Sequence, residues 1–183
     1  YSSPLRSTTT LVTDPLNAAQ PFTAVSASTL TFTWADGGNP GGTSYTVEIS
    51  SAGFAPGTAI SSAATLALSQ TFGGLLPNTT YYGRARAVNM DNVPGGYSPA
   101  VPAVTLPLPP APATAPFSGV TSSSITFTWT ASGNPQNTAY VAELSRDGFV
   151  SVSSAVQTSA LSASFSALTA NTVYQARVRA VNF

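Results

Sequence analysis

Three short stretches in the first half of the chain alternate between apolar and polar residues. In each stretch, apolar or small side chains lie on one face and polar side chains on the other. The stretches are Leu30–Trp34, Tyr45–Ile49 and Tyr81–Ala87. A period of two residues is typical of antiparallel strands that bury one face. Helical spacing is hardly seen, and Gly, Pro and Asn interrupt the pattern at short intervals. The chain is therefore predicted to be all-β and to form sandwiches.

The same pattern returns about 95 residues later, which indicates an internal repeat. A deletion of two residues falls between Phe54 and Leu68, where a loop or an edge strand can absorb it. Each copy is predicted to be one domain. The residues that pair at a distance of 95 are Trp34 with Trp129, Asn39 with Asn134, Tyr45 with Tyr140 and Glu48 with Glu143; those that pair at a distance of 93 are Phe72 with Phe165, Tyr81 with Tyr174 and Asn89 with Asn182.

Three motifs within each copy resemble the fibronectin type III family. They are a Trp that ends the second strand, a Tyr-x-Val-x-aliphatic third strand and a Leu-x-Pro-x-Thr-x-Tyr corner before the sixth. The resemblance implies two tandem immunoglobulin-like (fibronectin type III) β-sandwiches in a linear array, a fold that serves many functions. The second copy departs from the pattern at Ala142 and Ala170. The matching residues are Trp34 and Trp129; Tyr45, Val47 and Ile49; Tyr140, Ala142 and Leu144; Leu75, Pro77, Thr79 and Tyr81; Leu168, Ala170, Thr172 and Tyr174.

Four aromatic residues receive structural roles from this interpretation. The resemblance makes Tyr81 and Tyr174 tyrosine corners, whose phenol groups bond to nearby backbone. The alternation places Trp34 and Trp129 in the cores. Tyr82 and Tyr97 are candidates for exposed aromatic side chains that bind a ligand, and only Tyr82 lies on a predicted outer strand face.

The predicted domains are residues 14–106 and 107–183, and the second reaches Asn182-Phe183 directly after its sixth strand. It is therefore expected to lack its last strand. The Pro-rich stretch Leu106–Pro116 is predicted to be a semi-rigid spacer. Residues 1–13 resemble the closing run that follows Tyr97, so they are expected to be a final-strand segment belonging to a preceding or neighbouring domain.

Two explanations for this surplus strand stay open: the chain is a segment of a longer array, or the head strand of one molecule completes the tail domain of the next. Without such a partner, the unpaired backbone groups of the sixth strand would make the molecule prone to aggregate. The predicted assembly strand is Thr8, Thr9, Thr10, Leu11 and Val12, and the predicted acceptor strand is Tyr174, Ala176, Val178 and Ala180.

Charge is scarce, and this narrows the classes of function. Charged residues make up 7% of the 183 residues, against about 25% in typical domains. Six Arg balance six acidic residues, so nothing would neutralise a nucleic-acid backbone. Cys and His are absent, which removes disulfides, the usual zinc ligands and the commonest general base. No stretch approaches the roughly 20 apolar residues of a membrane helix.

The repeated charges are predicted to form cross-strand ion pairs on the outer face of one sheet. The alternative is that the Arg residues grip an anionic partner. No catalytic, cofactor or metal site is predicted, and the sequon Asn78-Thr79-Thr80 is interpreted as a chance match. The residues of the predicted structural ion pairs are Glu48, Arg84, Arg86, Glu143, Arg177 and Arg179.

These observations predict a non-catalytic structural repeat protein of an extracellular filament, stalk or surface layer, of bacterial origin. Its expected partners are copies of itself or adjacent repeats of the same chain, and its Ser and Thr hydroxyls could carry sugars. Neither nucleic acid nor membrane insertion is expected. The alternative is a binding or spacer module of a secreted adhesin or polysaccharide-degrading enzyme.

Overall fold

The computed structural model describes residues 7–183, and it divides into two units. The first runs through Leu75 and resumes at Thr80–Thr105, and the second comprises Leu76–Thr79 and Leu106–Phe183. Fourteen strands and no helix are present in this range, so it contains no apolar helix that could cross a bilayer. The prediction of an all-β chain is confirmed.

The first unit contains two antiparallel sheets. One has the order β1-β2-β5, and in the other β4-β3-β6-β7 is extended by β8, which also pairs with β6. The strands are β1 (Leu16–Thr23), β2 (Leu30–Ala35), β3 (Ser44–Ser50), β4 (Ile60–Ser61), β5 (Ser69–Phe72), β6 (Thr80–Val88), β7 (Pro94–Tyr97) and β8 (Val101–Val104).

The second unit repeats this arrangement with fewer strands. Its sheets have the orders β9-β10-β13 and β12-β11-β14. The strands are β9 (Ala111–Ser118), β10 (Ile125–Thr130), β11 (Tyr140–Ser145), β12 (Ser154–Thr158), β13 (Ser162–Phe165) and β14 (Gln175–Ala180). The expectation that Leu106–Pro116 is a spacer throughout is wrong, because Ala111–Pro116 belong to β9. Its prolines are tolerated because β9 is an edge strand, which pairs with β10 and with no other strand of the described residues.

Each unit contains a row of four aromatic rings, three of them buried in the core, whose neighbouring centroids lie 5.1–5.9 Å apart. Such distances favour aromatic packing. The inward positions predicted from the alternation on β2, β3 and β6 are buried. The two rows are Phe22, Phe32, Trp34 and Tyr45 in the first unit and Phe117, Phe127, Trp129 and Tyr140 in the second.

The head segment differs from the expectation. Residues Thr8–Val12 form no strand, and residues 1–6 of the predicted closing strand lie outside the described residues. The Thr10 carbonyl accepts a hydrogen bond from Asn89 Nδ2 at 3.3 Å, and Val12 packs against the first core. The described part of this segment therefore lies on the first sandwich instead of standing apart from it.

A two-way amide clamp holds the end of the head segment. The backbone N–H of Thr13 donates to Asn39 Oδ1 at 2.9 Å, and Asn39 Nδ2 donates to the Thr13 carbonyl at 2.8 Å. Asn134 binds the N–H and carbonyl of Leu108 in the same way, at 2.8 Å each. Thr13 and Leu108 lie 95 residues apart, as do the two asparagines. The clamp is thus a repeated device that fixes the chain entering each sandwich.

Candidate functional site: the charged sheet face and the sixth-strand edge

A compact polar cluster lies on the outer face of the first unit. Glu48 on β3 faces Arg84 on β6. The guanidinium of Arg84 donates twice to Glu48 Oε2, from Nε at 3.0 Å and from Nη2 at 2.8 Å. The hydroxyl of Tyr97 on β7 donates to the other oxygen, Oε1, at 2.7 Å. Both oxygens of the carboxylate are therefore bound.

Two aromatic rings enclose the same guanidinium. The Cζ atom of Arg84 lies 3.9 Å from the ring centroid of Phe54 and 3.8 Å from that of Tyr97. Cation–π attraction adds to the ion pair at these distances. Burial raises the pKa of Glu48, but the hydrogen bonds from Tyr97 and Arg84 outweigh it and hold this pKa below its ordinary value. The cluster keeps a charged, ordered carboxylate at neutral pH.

The second unit contains the ion pair and one of the two stacked rings of this cluster. Arg177 Nε donates to Glu143 Oε2 at 2.7 Å, and its Cζ atom lies 4.2 Å from the ring centroid of Phe149. The aromatic residue corresponding to Tyr97 is absent from the residues described beside β14. The side chain of Arg177 is accordingly 54% exposed, against 27% for Arg84.

Phe54 and Phe149 share an unusual backbone. Their φ angles are +62° and +67°, in the left-handed region that bulky residues rarely adopt. The two residues lie 95 apart in the sequence. The same strained conformation recurs at both positions where a Phe ring covers an Arg. We therefore infer that this Phe–Arg stack is a structural feature of both sandwiches.

Arg86 and Arg179 do not join the ion pairs, which corrects that part of the prediction. The described residues contain two salt bridges, Glu48–Arg84 and Glu143–Arg177. Arg86 lies opposite Thr46, and its Nε donates to the Thr46 hydroxyl at 3.1 Å. Arg179 lies opposite Val141 and is exposed. Arg86 and Arg179 lie two residues beyond Arg84 and Arg177 on the same strand face. Each Glu therefore pairs with the Arg directly opposite it, Arg84 or Arg177.

The sixth strand of each unit differs in what covers it. In the first, β6 pairs with β3 on one edge and with β7 and β8 on the other. In the second, β14 pairs with β11, and its other edge faces no strand among residues 7–183. The burial of the predicted acceptor residues reflects this difference in strand pairing. Tyr174, Ala176, Val178 and Ala180 are half-buried, whereas their counterparts Tyr81, Gly83, Ala85 and Ala87 are buried.

The other predicted structural residues occupy cores and corners. Trp34 and Trp129 are buried, at 3% and 2% exposure. The hydroxyl of Tyr174 accepts a hydrogen bond from the Thr169 N–H at 3.0 Å, as a tyrosine corner requires, and Tyr81 is buried in the first core. Tyr97, considered as an exposed ligand-binding aromatic, instead packs on Arg84. Within the described range, no group of three acidic residues, His or Cys could hold a metal ion.

Asn78 is a site residue that the sequence does not identify. It is fully buried in the second unit, as is Thr138. Its Nδ2 donates to Thr138 Oγ1 at 2.9 Å and to the Val181 carbonyl at 3.3 Å, while its Oδ1 accepts from the Phe183 N–H at 3.1 Å. Its own N–H donates to the Leu106 carbonyl at 3.2 Å. An amide nitrogen engaged in this way does not present a sequon, in agreement with the chance match.

Comparison with known proteins gives a family match for part of the second unit and a fold match for the whole chain. Residues 110–183 match the family model for the fibronectin type III domain. The structure is similar to a two-domain fibronectin type III segment of chicken tenascin, with a TM-score of 0.61 and 15% identity over 93% of each chain. Residues 110–183 therefore match the fibronectin type III family, and the chain as a whole has the fold of two tandem immunoglobulin-like β-sandwiches.

Two further solved structures are similar to parts of this chain. The domain of human fibronectin type III domain containing protein 3 is 21% identical, covers 56% of this chain and 93% of its own, and gives a TM-score of 0.46. A segment of titin is 20% identical, with a coverage of 52% of this chain and 32% of its own and a TM-score of 0.44. No curated protein matches the chain.

Fibronectin type III domains are generally non-catalytic binding or spacer modules, and they are common in extracellular and surface proteins. The described residues fit such a role, because their polar groups build sheet faces and turns. Three features of residues 7–183 bear on function: an edge of β14 that no described strand covers, a stack on Arg177 with one described ring, and the buried Asn78.

Proposed function

We propose that this chain is a non-catalytic structural repeat protein that assembles head to tail outside the cell, in a filament, stalk or surface layer. One observation carries the proposal: among residues 7–183 no strand pairs with the second edge of β14, which lies above a line of half-buried core residues that strands cover in the first domain. An edge of this kind is a template for a further strand. The proposed occupant is the head segment of another copy.

The stack on Arg177 supports a specific register for that strand. In the first domain Tyr97 supplies the second ring of the stack and the hydroxyl that binds Glu48. Ser98 follows it, and the Ser98 N–H donates to the Ala85 carbonyl at 2.7 Å while its hydroxyl accepts from the Ala85 N–H at 3.1 Å. The head segment begins with the same pair of residues, Tyr1-Ser2. Placed on β14, Tyr1 would cover the open face of Arg177.

The clamp at Thr13 refines which residues are donated. Thr13 corresponds to Leu108, 95 residues later in the sequence. The same distance of 95 pairs Arg6–Thr9 with Val101–Val104, which form the strand β8. Residues from Thr10 onward would then stay on their own sandwich, where the structure has them, and Thr9 would give up the hydrogen bond that its N–H donates to Asp91 Oδ2 at 3.2 Å. Ser3 is the extra residue in this alignment and has no counterpart after Ser98. The donated segment is therefore Tyr1–Thr9, shifted from the strand Thr8–Val12 expected from propensity.

The low charge of the chain suits such assembly. A neutral surface lacks the like-charge repulsion that keeps many proteins apart. A contact between a head and a tail is heterologous, so it propagates into a linear array unless it closes into a ring. An exposed edge that is completed in this way is no longer open to unspecific pairing.

Sedimentation velocity tests the proposal with three samples. The full chain is expected to form species that grow with concentration, and a variant lacking Tyr1–Thr9 is expected to stay monomeric. The variant should bind an N-acetylated peptide of sequence Tyr1–Thr9. A full chain that stays monomeric at every concentration, together with a peptide that does not bind, would overturn the proposal.

Substitutions in the peptide test the register. Tyr1→Ala should weaken peptide binding about tenfold, since it removes a cation–π contact and a hydrogen bond to a carboxylate. Ser3→Ala is the matched control and should leave the affinity unchanged. Equal effects of the two substitutions would show that the strand binds in another register.

A further inference from the structure

The first domain contains a cavity of about 260 Å³ near the point where the head segment enters. It lies between the head segment, the turn after Asn39 and the chain that follows β6. Two apolar side chains beside it are largely exposed, Leu11 at 76% and Met90 at 85%. Exposed apolar groups around a concave site are typical of a surface that receives a partner.

The repeat identifies what this cavity is shaped to hold. In the second unit, the partners of the buried Asn78 are Leu106, Thr138, Val181 and Phe183. Transferred by the repeat, these four positions become lining residues of the cavity in the first domain. The counterparts are Leu11 for Leu106, Thr43 for Thr138, Val88 for Val181 and Met90 for Phe183. The site filled by Asn78 in the second unit is thus open in the first.

The chain also carries a second residue of the kind that fills the site. Asn171 is the counterpart of Asn78, 93 residues later. Its φ angle is +52°, close to the +45° of Asn78, so its backbone already has the conformation of the bound residue. Asn78 is fully buried, whereas Asn171 is exposed. A preformed loop with an unburied amide is complementary to a preformed cavity that lacks one.

We propose that this cavity is a docking site for the loop Thr169–Thr172 of a second copy of the chain. Asn171 enters it and donates from Nδ2 to the hydroxyl of Thr43, as Asn78 does to Thr138. This inference rests on the head-to-tail assembly proposed above and adds a second contact to it. The copy that receives Tyr1–Thr9 on β14 would insert its Asn171 loop into the domain that donates the strand.

A double-mutant cycle on the self-association of the full chain tests the pairing. Thr43→Val should lower the association constant about tenfold, as the loss of one well-made hydrogen bond does, and Asn171→Ala should lower it at least as much, because it also removes the bonds at the positions of Val88 and Met90. The double variant should lose no more than Asn171→Ala alone, because that substitution already removes the bond to Thr43. Ser166→Ala, at an exposed residue before the loop, is the control and should not change association. Losses that multiply in the double variant, or single variants that associate normally, would overturn the inference.

Cysteine cross-linking decides the question without a measurable association constant. The natural chain has no Cys, so a mixture of Thr43→Cys and Asn171→Cys chains can form one kind of mixed disulfide. We expect a covalent dimer under oxidising conditions, and a variant with both substitutions should form ladders. The absence of both products would overturn the inference, and so would a disulfide closed within one chain.

The outcomes separate this inference from the proposed function. Assembly that requires Tyr1–Thr9 but is indifferent to Asn171 and Thr43 would retain strand donation and reject the docking site. Cross-linking between Thr43→Cys and Asn171→Cys that persists without Tyr1–Thr9, together with a Tyr1–Thr9 peptide that does not bind, would retain the docking site and reject strand donation.

Discussion

At the scale of single residues, Asp147 organises the turn between β11 and β12. Its Oδ1 accepts hydrogen bonds from the Ser145 hydroxyl at 2.7 Å and the Ser151 N–H at 3.0 Å, and its Oδ2 accepts from the Ser151 hydroxyl at 2.6 Å. These bonds favour the charged carboxylate. Led by those from Ser151, they lower the pKa of Asp147 from its usual 3.8 to about 2.

The folded second domain should therefore depend on pH through this carboxylate. Because the folded pKa lies below the unfolded one, the stabilising contribution is complete above pH 4 and is lost as the pH falls towards 2. An NMR titration of the Asp147 side chain should give a midpoint near pH 2. The loss of stability between pH 4 and 2 should be smaller in Asp147→Asn. A midpoint near 4 would contradict the prediction.

Gly83 marks a place where the first core has no room. A Cβ atom added there would lie 2.8 Å from Phe22 Cζ and 2.8 Å from Phe32 Cδ2, closer than real contacts allow. The second domain has Ala176 at this position, and it is half-buried. Gly83→Ala should lower the free energy of unfolding of the first domain by about 1–3 kcal/mol through overpacking.

Urea unfolding can measure this change domain by domain, since each domain contains one Trp. Trp129→Phe leaves Trp34 as the reporter of the first domain, and Trp34→Phe leaves Trp129 for the second. Ala176→Gly is the matched control in the second domain and should cost about 0.5–1 kcal/mol, through chain entropy. An unchanged midpoint for Gly83→Ala would show that the phenyl rings give way.

At the scale of strands, the sequence predicts those strands whose residues alternate between buried and exposed positions. β2, β3 and β6 are visible because their inward residues repeat every second position, and the repeat carries the same pattern to β10 and β11. Glu48 and Arg84 meet because antiparallel pairing of β3 and β6 places them opposite each other. The sandwich fold and both ion pairs therefore follow from periodicity and from the family resemblance.

The parts that the sequence does not predict depend on contacts between distant segments. Thr8–Val12 has the composition of a strand, yet Thr10 and Val12 are held by a sandwich whose Asn89 and core lie far along the chain. The recurrence of Asn39 at Asn134 is the available signal, but it does not reveal that each asparagine clamps a backbone group. The sequence likewise gives Tyr97 no visible partner, because Arg84 lies on another strand.

At the scale of the whole molecule, the repeat supplies two pairs of matching surfaces. A segment with the sequence of a covering strand matches a sixth strand that no strand of residues 7–183 covers on one edge, and a loop with an exposed Asn matches a cavity. Each pair has a completed counterpart within the same chain, β7 and β8 on β6 and Asn78 beside Thr138. Assembly by these surfaces would repeat, in each new copy, contacts that the chain already makes.

Strand donation also predicts that the two domains respond differently to concentration. A ligand that binds only the folded form stabilises it, by about 2.7 kcal/mol when present at 100 times its dissociation constant. The second domain is the acceptor, so unfolding reported by Trp129 should shift to higher temperature as the protein concentration rises, or when excess Tyr1–Thr9 peptide is added. Unfolding reported by Trp34 should shift less, because the first domain already has its covering strands. If both reporters are independent of concentration, β14 does not receive a strand from another copy.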